Sequence, residues 1–326
     1  KKMNWPIKYF SQEELAVINV PNPSLIVKKE IGCSSVAEAA SILAAGMASK
    51  MYQEKKIFFS INDESGAATV SISESSNSFY PRNGELHLVG IGPGDISFLT
   101  VDARKALART PIWIGYERYL NLIEVLRRND QIRLDSKLTF EKDRCIQALN
   151  LASEGSRVSL VSSGDVGIYG MAGLALELLL DKPLIERPKF YIHPGISAIQ
   201  LAASRIGAPL SNDFCTISLS DCLTPWEDIK KRILGAAIGN FVIGFYNPKS
   251  EERDWQLKVA LDLLLEHRSY ETPVVFARQI GRVGETIKIY TLGNCPVKDV
   301  DMLTIVIIGN NQSSINQDWF VSPRGY

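Results

Sequence analysis

Histidine and cysteine are scarce in this chain. Its 326 residues include three histidines, His87, His193 and His267, and five cysteines, at positions 33, 145, 215, 222 and 295. There is no Cys-x-x-Cys pair and no cysteine–histidine cluster, so neither a protein-held metal nor a serine-type triad is expected. An odd number of scattered cysteines fits free thiols in a reducing compartment, and so a cytoplasmic protein. Neither sign of charge is in excess, with 36 Lys and Arg against 36 Asp and Glu. That balance gives no hint of nucleic acid or a membrane surface as partner. The longest apolar run, around 234–246, is interrupted by Asn240 and several glycines, and falls short of the roughly 20 residues that span a bilayer. No secretory signal opens the sequence. The first residue is Lys1 rather than methionine, as expected of a fragment or a processed chain.

What is present is ordinary globular material, 45% hydrophobic and 22% charged, long enough for two or three domains. Residues 1–73 read as a small α/β segment. Ser35-Val36-Ala37-Glu38 has the form of a capping box and opens an Ala-rich helix to Ala48. Stretches 56–61 and 67–72 form a hairpin pattern joined by 62–66. Residues 74–83 are polar and turn-rich, and read as a linker.

From Gly84 strands and helices alternate. The spacing predicts strands at 86–91, 111–116, 157–162 and 189–193. It predicts helices carrying Leu99, Ala103, Ala106 and Leu107, then at 144–153 and 197–206. This is a parallel-sheet rhythm. It restarts after Pro209 with strand 214–219, helix 226–237, strand 241–246 and helix 253–267. Three closely spaced strands follow, at 273–278, 285–292 and 302–308, which implies antiparallel pairing. The fold class is therefore α/β, with two α/β domains, 84–207 and 208–326, and an interdomain cleft between them.

The most informative stretch is Leu160-Val161-Ser162-Ser163-Gly164-Asp165-Val166-Gly167-Ile168-Tyr169-Gly170. An apolar strand stops, a small-residue turn exposes backbone N–H groups, and Met171, Leu174 and Leu178 begin a helical spacing whose N-terminus is expected to point at the same place, beside Asp165. That arrangement suits a small polar ligand at parallel-strand ends; it also serves as a plain connector in any α/β domain. Asp165 beside free N–H groups suits a zwitterion. Pro194-Gly195-Ile196-Ser197-Ala198 and Phe245-Tyr246-Asn247-Pro248-Lys249-Ser250 are two more turns at predicted strand ends, so the three are expected to converge. Gly90-x-Gly92-x-Gly94, with Glu117 further on, is close to a dinucleotide fingerprint. Asp95 follows the last glycine and would repel a pyrophosphate there.

These segments together resemble the tetrapyrrole methylases. The likeness is carried by Gly90-Ile91-Gly92-Pro93-Gly94-Asp95, Leu99-Thr100, Ser163 to Gly170 and Pro194 to Ala198. Gly207-Ala208-Pro209-Leu210, Ile217-Ser218-Leu219-Ser220-Asp221, Thr224-Pro225-Trp226, Tyr246 to Ser250 and Pro323-Arg324-Gly325-Tyr326 narrow it to members that methylate carbon 17 of a precorrin. It covers 84–326. Residues 1–73, through Pro21-Asn22-Pro23-Ser24 and Ser35 to Ala40, look like the C-terminal portion of a cobalt-precorrin-5A hydrolase domain.

The resemblance implies an S-adenosylmethionine-dependent enzyme of cobalamin biosynthesis, a homodimer, acting on a small-molecule tetrapyrrole. It implies donor contacts at Pro93, Ser163, Gly164, Asp165, Ile168, Ser197, Ala198, Asn247 and Ile280. Tyr116 stands where relatives have a proposed acid–base aspartate, so Asp95 and Tyr116 become the candidates for the proton steps of ring contraction. A substrate rich in carboxylates implies basic contacts, for which Arg118, Lys137, Arg144 and Arg282 are candidates. Methylation at another position of a related corrinoid, or a corrinoid-binding module without catalysis, would use the same segments; the intact Ser163-Gly164-Asp165 turn speaks against the second.

Overall fold

The computed structural model describes residues 9–47, 49–59, 67–75, 84–250 and 252–325. The N-terminal segment holds three helices, α1 (Gln12–Ala16), α2 (Leu25–Ile31) and α3 (Val36–Ala45), and the antiparallel hairpin β1 (Lys50–Phe59) and β2 (Ala67–Glu74). Leu15, Ile18, Val20, Cys33 and Ala39 form its core. The capping box expected at Ser35 does not form, because Ser35 makes no side-chain bond to the helix N-terminus. Glu38 turns inward instead. Its carboxylate accepts from Asn22 Nδ2 at 2.9 Å, Asn22 N at 3.2 Å and Lys55 N at 3.0 Å. The hairpin strands run longer than expected; residues 60–66, with the turn, and most of the expected linker lie outside the described residues.

The next unit is built on five parallel strands. In chain order they are β3 (Glu85–Gly90), β4 (Ile112–Tyr116), β5 (Ile132–Ser136), β6 (Arg157–Ser162) and β7 (Lys189–His193), with helices α4 (Val101–Arg109), α5 (Glu117–Ile123), α6 (Glu141–Ser153) and α7 (Ala172–Leu180). The spatial order is β5-β4-β6-β3-β7. Every residue of β3 is buried, because helices cover both faces as a parallel sheet requires. One face packs Leu86, Leu88, Val158 and Leu160 against α6 and α7. The other packs Val89, Val161 and Trp113 against α4 and α5. The order places the ends of β6, β3 and β7 side by side; the chain leaves β3 toward β4 and leaves β6 toward β7, so the crossovers diverge between these two neighbouring strands.

Helix α8 (Ala198–Ile206) leads through the short β8 (Gly207–Ala208) into a mixed sheet of order β12-β11-β13-β10-β9. Its strands are β9 (Phe214–Ser218), β10 (Val242–Tyr246), β11 (Pro273–Arg278), β12 (Thr286–Thr291) and β13 (Thr304–Ile308), with α9 (Trp226–Ile238) and α10 (Gln256–Leu265) on one face. Only β9 and β10 run parallel; the other pairings are antiparallel. The opposite face is covered by α8, whose Ile199, Leu201, Ala202 and Ile206 pack with Val242, Val275, Ala277 and Ile307. Thus a helix that follows the first sheet in sequence is buried on the second. A terminal hairpin of β14 (Ser314–Asn316) and β15 (Trp319–Val321) adds to β8.

Candidate functional site

Three glycine turns meet at the ends of β3, β6 and β7. Gly92, at φ 78°, receives a bond from Gly164 N at 2.7 Å and returns one to Gly164 O at 3.2 Å. A Cβ on Gly195 would stand 2.0 Å from Gly164 O, and one on Gly90 would stand 2.7 Å from Gly195 N. The turns therefore touch backbone to backbone, which only glycine permits. Gly164 differs: at φ 66°, the nearest atom to its Cβ position is Ser197 Cα, 4.0 Å away. A Cβ there would meet open space, so the positive φ rather than crowding is what favours glycine.

Asp165 ties two of these turns together. Its Oδ1 accepts from Gly167 N at 2.8 Å and its Oδ2 from Gly195 N at 3.0 Å. The expected proximity of a helix N-terminus does not hold. Helix α7 starts only at Ala172, whose N–H goes to Val166 O. Local N–H groups, not a helix dipole, face the carboxylate.

The second domain closes on this cluster at two places. At the first, Asp95 N donates to Gly281 O at 2.6 Å. Arg282 Nε donates to Pro93 O at 2.7 Å, and its Nη2 donates to Ser163 Oγ at 2.9 Å. Burial pushes the Arg282 guanidinium below the usual arginine value, with Tyr119 acting in the opposite direction. At the second, the Tyr246 hydroxyl meets Ser197 Oγ and accepts from Ile199 N at 3.3 Å. Tyr169 leans on the Tyr246 ring at 5.1 Å and reaches Thr216 Oγ1 at 3.4 Å. Burial pushes the Tyr246 phenol up, so it keeps its proton well past neutrality. A Tyr246→Phe chain is expected to lose about 1 kcal/mol of stability and less than tenfold in ligand affinity; thermal melting and calorimetric titration check both.

The structure thus gathers Pro93, Ser163, Gly164, Asp165 and Ser197 in one place, with Ala198 opening α8 beside them. Ile280 is buried in the second core, and its backbone lies in the turn that clamps Pro93 and Asp95. Ile168 is 37% exposed. Asn247 sits exposed at φ 51°, bonding Ser218 Oγ at 3.0 Å. Asp95 caps the turn Ile96–Phe98 through Ser97 N at 2.7 Å, and that bond holds its acid below the usual carboxylate range. Tyr116 precedes α5 and lies edge-on to Tyr119 at 5.1 Å.

The four basic candidates do not form one patch. Arg118 and Lys137 are exposed, Arg144 is buried and paired with Glu141 at 2.9 Å, and Arg282 is the interdomain bolt. Tyr169, Tyr246 and Thr216 join the site without a sequence motif that assigns them a role. The signal available for the two tyrosines was their place within the strand-end turns.

Residues 85–296 match the family model described as tetrapyrrole (corrin/porphyrin) methylases, and residues 1–73 match the one described as cobalamin synthesis G C-terminus. The chain is 43% identical over 241 residues to a probable cobalt-factor III C(17)-methyltransferase of Salmonella typhimurium, covering 74% of this chain and 99% of that one. It is 40% identical over 249 residues to a precorrin-3B C(17)-methyltransferase of a Sinorhizobium species, covering 74% and 97%. Among solved structures, the methyltransferase CobJ superposes with TM-score 0.70 at 35% identity, covering 74% of this chain and 100% of that one. A Thermus thermophilus uroporphyrin-III C-methyltransferase complexed with S-adenosyl homocysteine shares the fold at TM-score 0.53 and 20% identity, covering 69% and 97%. The chain belongs to the tetrapyrrole methylases.

Proposed function

We propose that this chain transfers a methyl group from S-adenosylmethionine to carbon 17 of precorrin-3B or its cobalt-containing equivalent, with contraction of the ring, in cobalamin biosynthesis. The observation that carries this is kinship at 40–43% identity over nearly the full length of two C(17)-methyltransferases. The local geometry fits the donor. The open face of Gly164 allows close approach of a ligand to backbone. Asp165 spends one acceptance per oxygen on the turns, and a carboxylate has further lone pairs for an ammonium.

We assign donor contacts to Pro93, Ser163, Gly164, Asp165, Ser197, Ala198 and the backbone of Ile280, with Ile168 and Asn247 at the margin. In the transfer an electron-rich ring carbon attacks the methyl, the carbon–sulfur bond breaks, and sulfur keeps the electron pair. The sulfonium charge disappears, so positioning and exclusion of water are what the protein supplies. Contraction further requires a proton to leave a substrate hydroxyl. Asp95, ionised and exposed, is the first candidate for the base, although the Ser97 bond that lowers its acid also makes it a weaker one; Tyr116 is the second. Arg118 and Lys137 are the basic side chains left open to substrate carboxylates.

We assign the activity to two domains, 84–207 and 208–326, beyond a linker at 74–83; residues 1–73 form a hydrolase-like segment dispensable for it. We read the protein as a cytoplasmic homodimer. Free cysteines support the compartment, and exposed Ile132, Leu138, Phe140 and Ile146 along β5 and α6 offer a surface for a second copy. Among the described residues no helix is long and apolar enough to cross a membrane.

The test supplies labelled S-adenosylmethionine and each macrocycle, with and without cobalt, to the full chain and to 84–326. Label in a ring-contracted product from both proteins is expected, identified by mass and absorption spectra. Label without contraction, or at another carbon, overturns the assignment. Loss of turnover only in the folded fragment overturns dispensability.

A further inference from the structure

Two of the three histidines, distant in sequence, meet beneath α4. His87 Nδ1 lies 2.9 Å from His193 Nε2, and the rings stack at 5.2 Å. His193 Nδ1 lies 2.6 Å from Asp102 Oδ2, and His87 Nε2 lies 3.2 Å from Glu85 Oε2. Arg157 Nε lies 3.0 Å from the same Glu85 oxygen. Tyr191 stacks on His87 at 4.8 Å, and Arg109 of α4 also acts on His87. The seam thus runs carboxylate, imidazole, imidazole, carboxylate, from exposed Asp102 to buried Glu85.

Proton counting restricts its charge. An ionised carboxylate only accepts, and each contact needs one N–H. Three contacts therefore need three protons on four ring nitrogens, which is one net positive charge shared by the pair. With two neutral rings one contact lacks a proton. With two imidazolium rings, two N–H groups face each other in the 2.9 Å contact. Burial pushes the His87 imidazole down and His193 works the same way, against the bond to Glu85, so a second charge is admitted only at low pH. His193 directly precedes Pro194 and Gly195. Thr100 Oγ1 donates to Pro194 O at 3.0 Å and Gly195 N to Asp165 at 3.0 Å. The same helix start, Thr100 to Asp102, thus holds the end of β7 at two successive residues, His193 and Pro194.

We propose that His87 and His193 are positioning residues for the methyl-donor turn, a pair that shares one proton and fixes Pro194 and Gly195 only in that charge state. This rests on the reading that the Gly195 turn belongs to the donor site. Proton and donor are then linked reciprocally: affinity falls as pH drops through the pair's lower step, and bound donor moves that step downward; affinity falls again as pH rises through the upper step, where the shared proton is lost, and bound donor moves that step upward.

The test follows the histidine ring carbons of the full chain by NMR against pH, with and without S-adenosylhomocysteine, His267 serving as the internal control. Expected are coupled movements of His87 and His193. A downward shift of the lower step by about 0.7 pH unit is expected with ligand, matching a loss of affinity of about fivefold across it. His87→Phe, which keeps a ring against Tyr191 but holds no proton, should erase the affinity step. Asp102→Asn, whose side chain is 60% exposed, should displace it without unfolding the chain. Rings that titrate independently, or an affinity step unchanged in both variants, overturns the proposal. If ligand perturbs the Gly195 amide while both histidines ignore it, the pairing idea alone falls. If ligand leaves Gly195 untouched, the site reading falls with it.

Discussion

A Gly94→Ala chain is expected to bind S-adenosylhomocysteine more weakly by about one to two powers of ten, with both domains still folded. A Cβ at this position would stand 2.0 Å from Gly281 O and 2.5 Å from Arg282 Cγ. No rotamer relieves a contact between a Cβ and a backbone oxygen, so the turn after β3 must part from the turn 279–282. That separation removes the bond from Asp95 N to Gly281 O and strains those from Arg282 to Pro93 and Ser163. The lesion lies at a domain contact and spares both cores. Circular dichroism should therefore stay native while calorimetry reports the lost affinity. Arg282→Ala, which removes the bolt without adding volume, should do the same more mildly. Native affinity in Gly94→Ala would mean that this contact does not shape the donor site.

The strands that position these turns were legible because each is a short apolar run bounded by glycine or proline. Arg157–Ser162, Lys189–His193 and Pro273–Arg278 match expectation residue for residue. Strand β5 and helix α5 were not legible. The strand Ile-Arg-Leu-Asp-Ser is an edge strand exposed at Ile132, and the helix lasts seven residues, too few to establish a period. The meeting of the Gly164 and Gly195 turns was readable from strand ends; the third turn expected with them, 245–250, reaches them through Tyr246 on Ser197, while the turn after β3 completes the backbone cluster. Arg282 reads as a substrate anchor by charge, yet its hydrogen bonds go to Pro93 and Ser163, 189 and 119 residues away in sequence. The short helical spacing after Gly170 suggested a helix pointing at Asp165, whereas nine residues separate β6 from α7 and carry Tyr169 across to the second domain. The packing of α8 on the second sheet is likewise invisible to periodicity, which shows an apolar face but not its partner.

Asp165→Ala is expected to raise the donor's dissociation constant by about one to two powers of ten while leaving most of the rate at saturating donor. Placement gives the reason. The carboxylate accepts from Gly167 N and Gly195 N and so holds the β6 and β7 turns in register. Charge-assisted bonds of this kind contribute roughly 1.5–3 kcal/mol, part of which water recovers because Asp165 is only half-buried. Its remaining lone pairs are those proposed to meet the donor's ammonium, which lies away from the methyl and sulfonium. A change confined to holding should therefore appear in donor affinity, and excess donor should restore turnover. Asp165→Asn separates the two duties further. Its amide oxygen can serve one turn, but its NH2 group confronts the other N–H and repels an ammonium, so affinity should fall nearly as far as in the alanine chain. Tyr116→Phe is the contrast, expected to leave donor affinity alone and to act only on contraction. Single-turnover methyl transfer at graded donor concentrations reads all three. Normal binding with no turnover at saturation in Asp165→Ala would move this carboxylate from holding the donor to the proton chemistry.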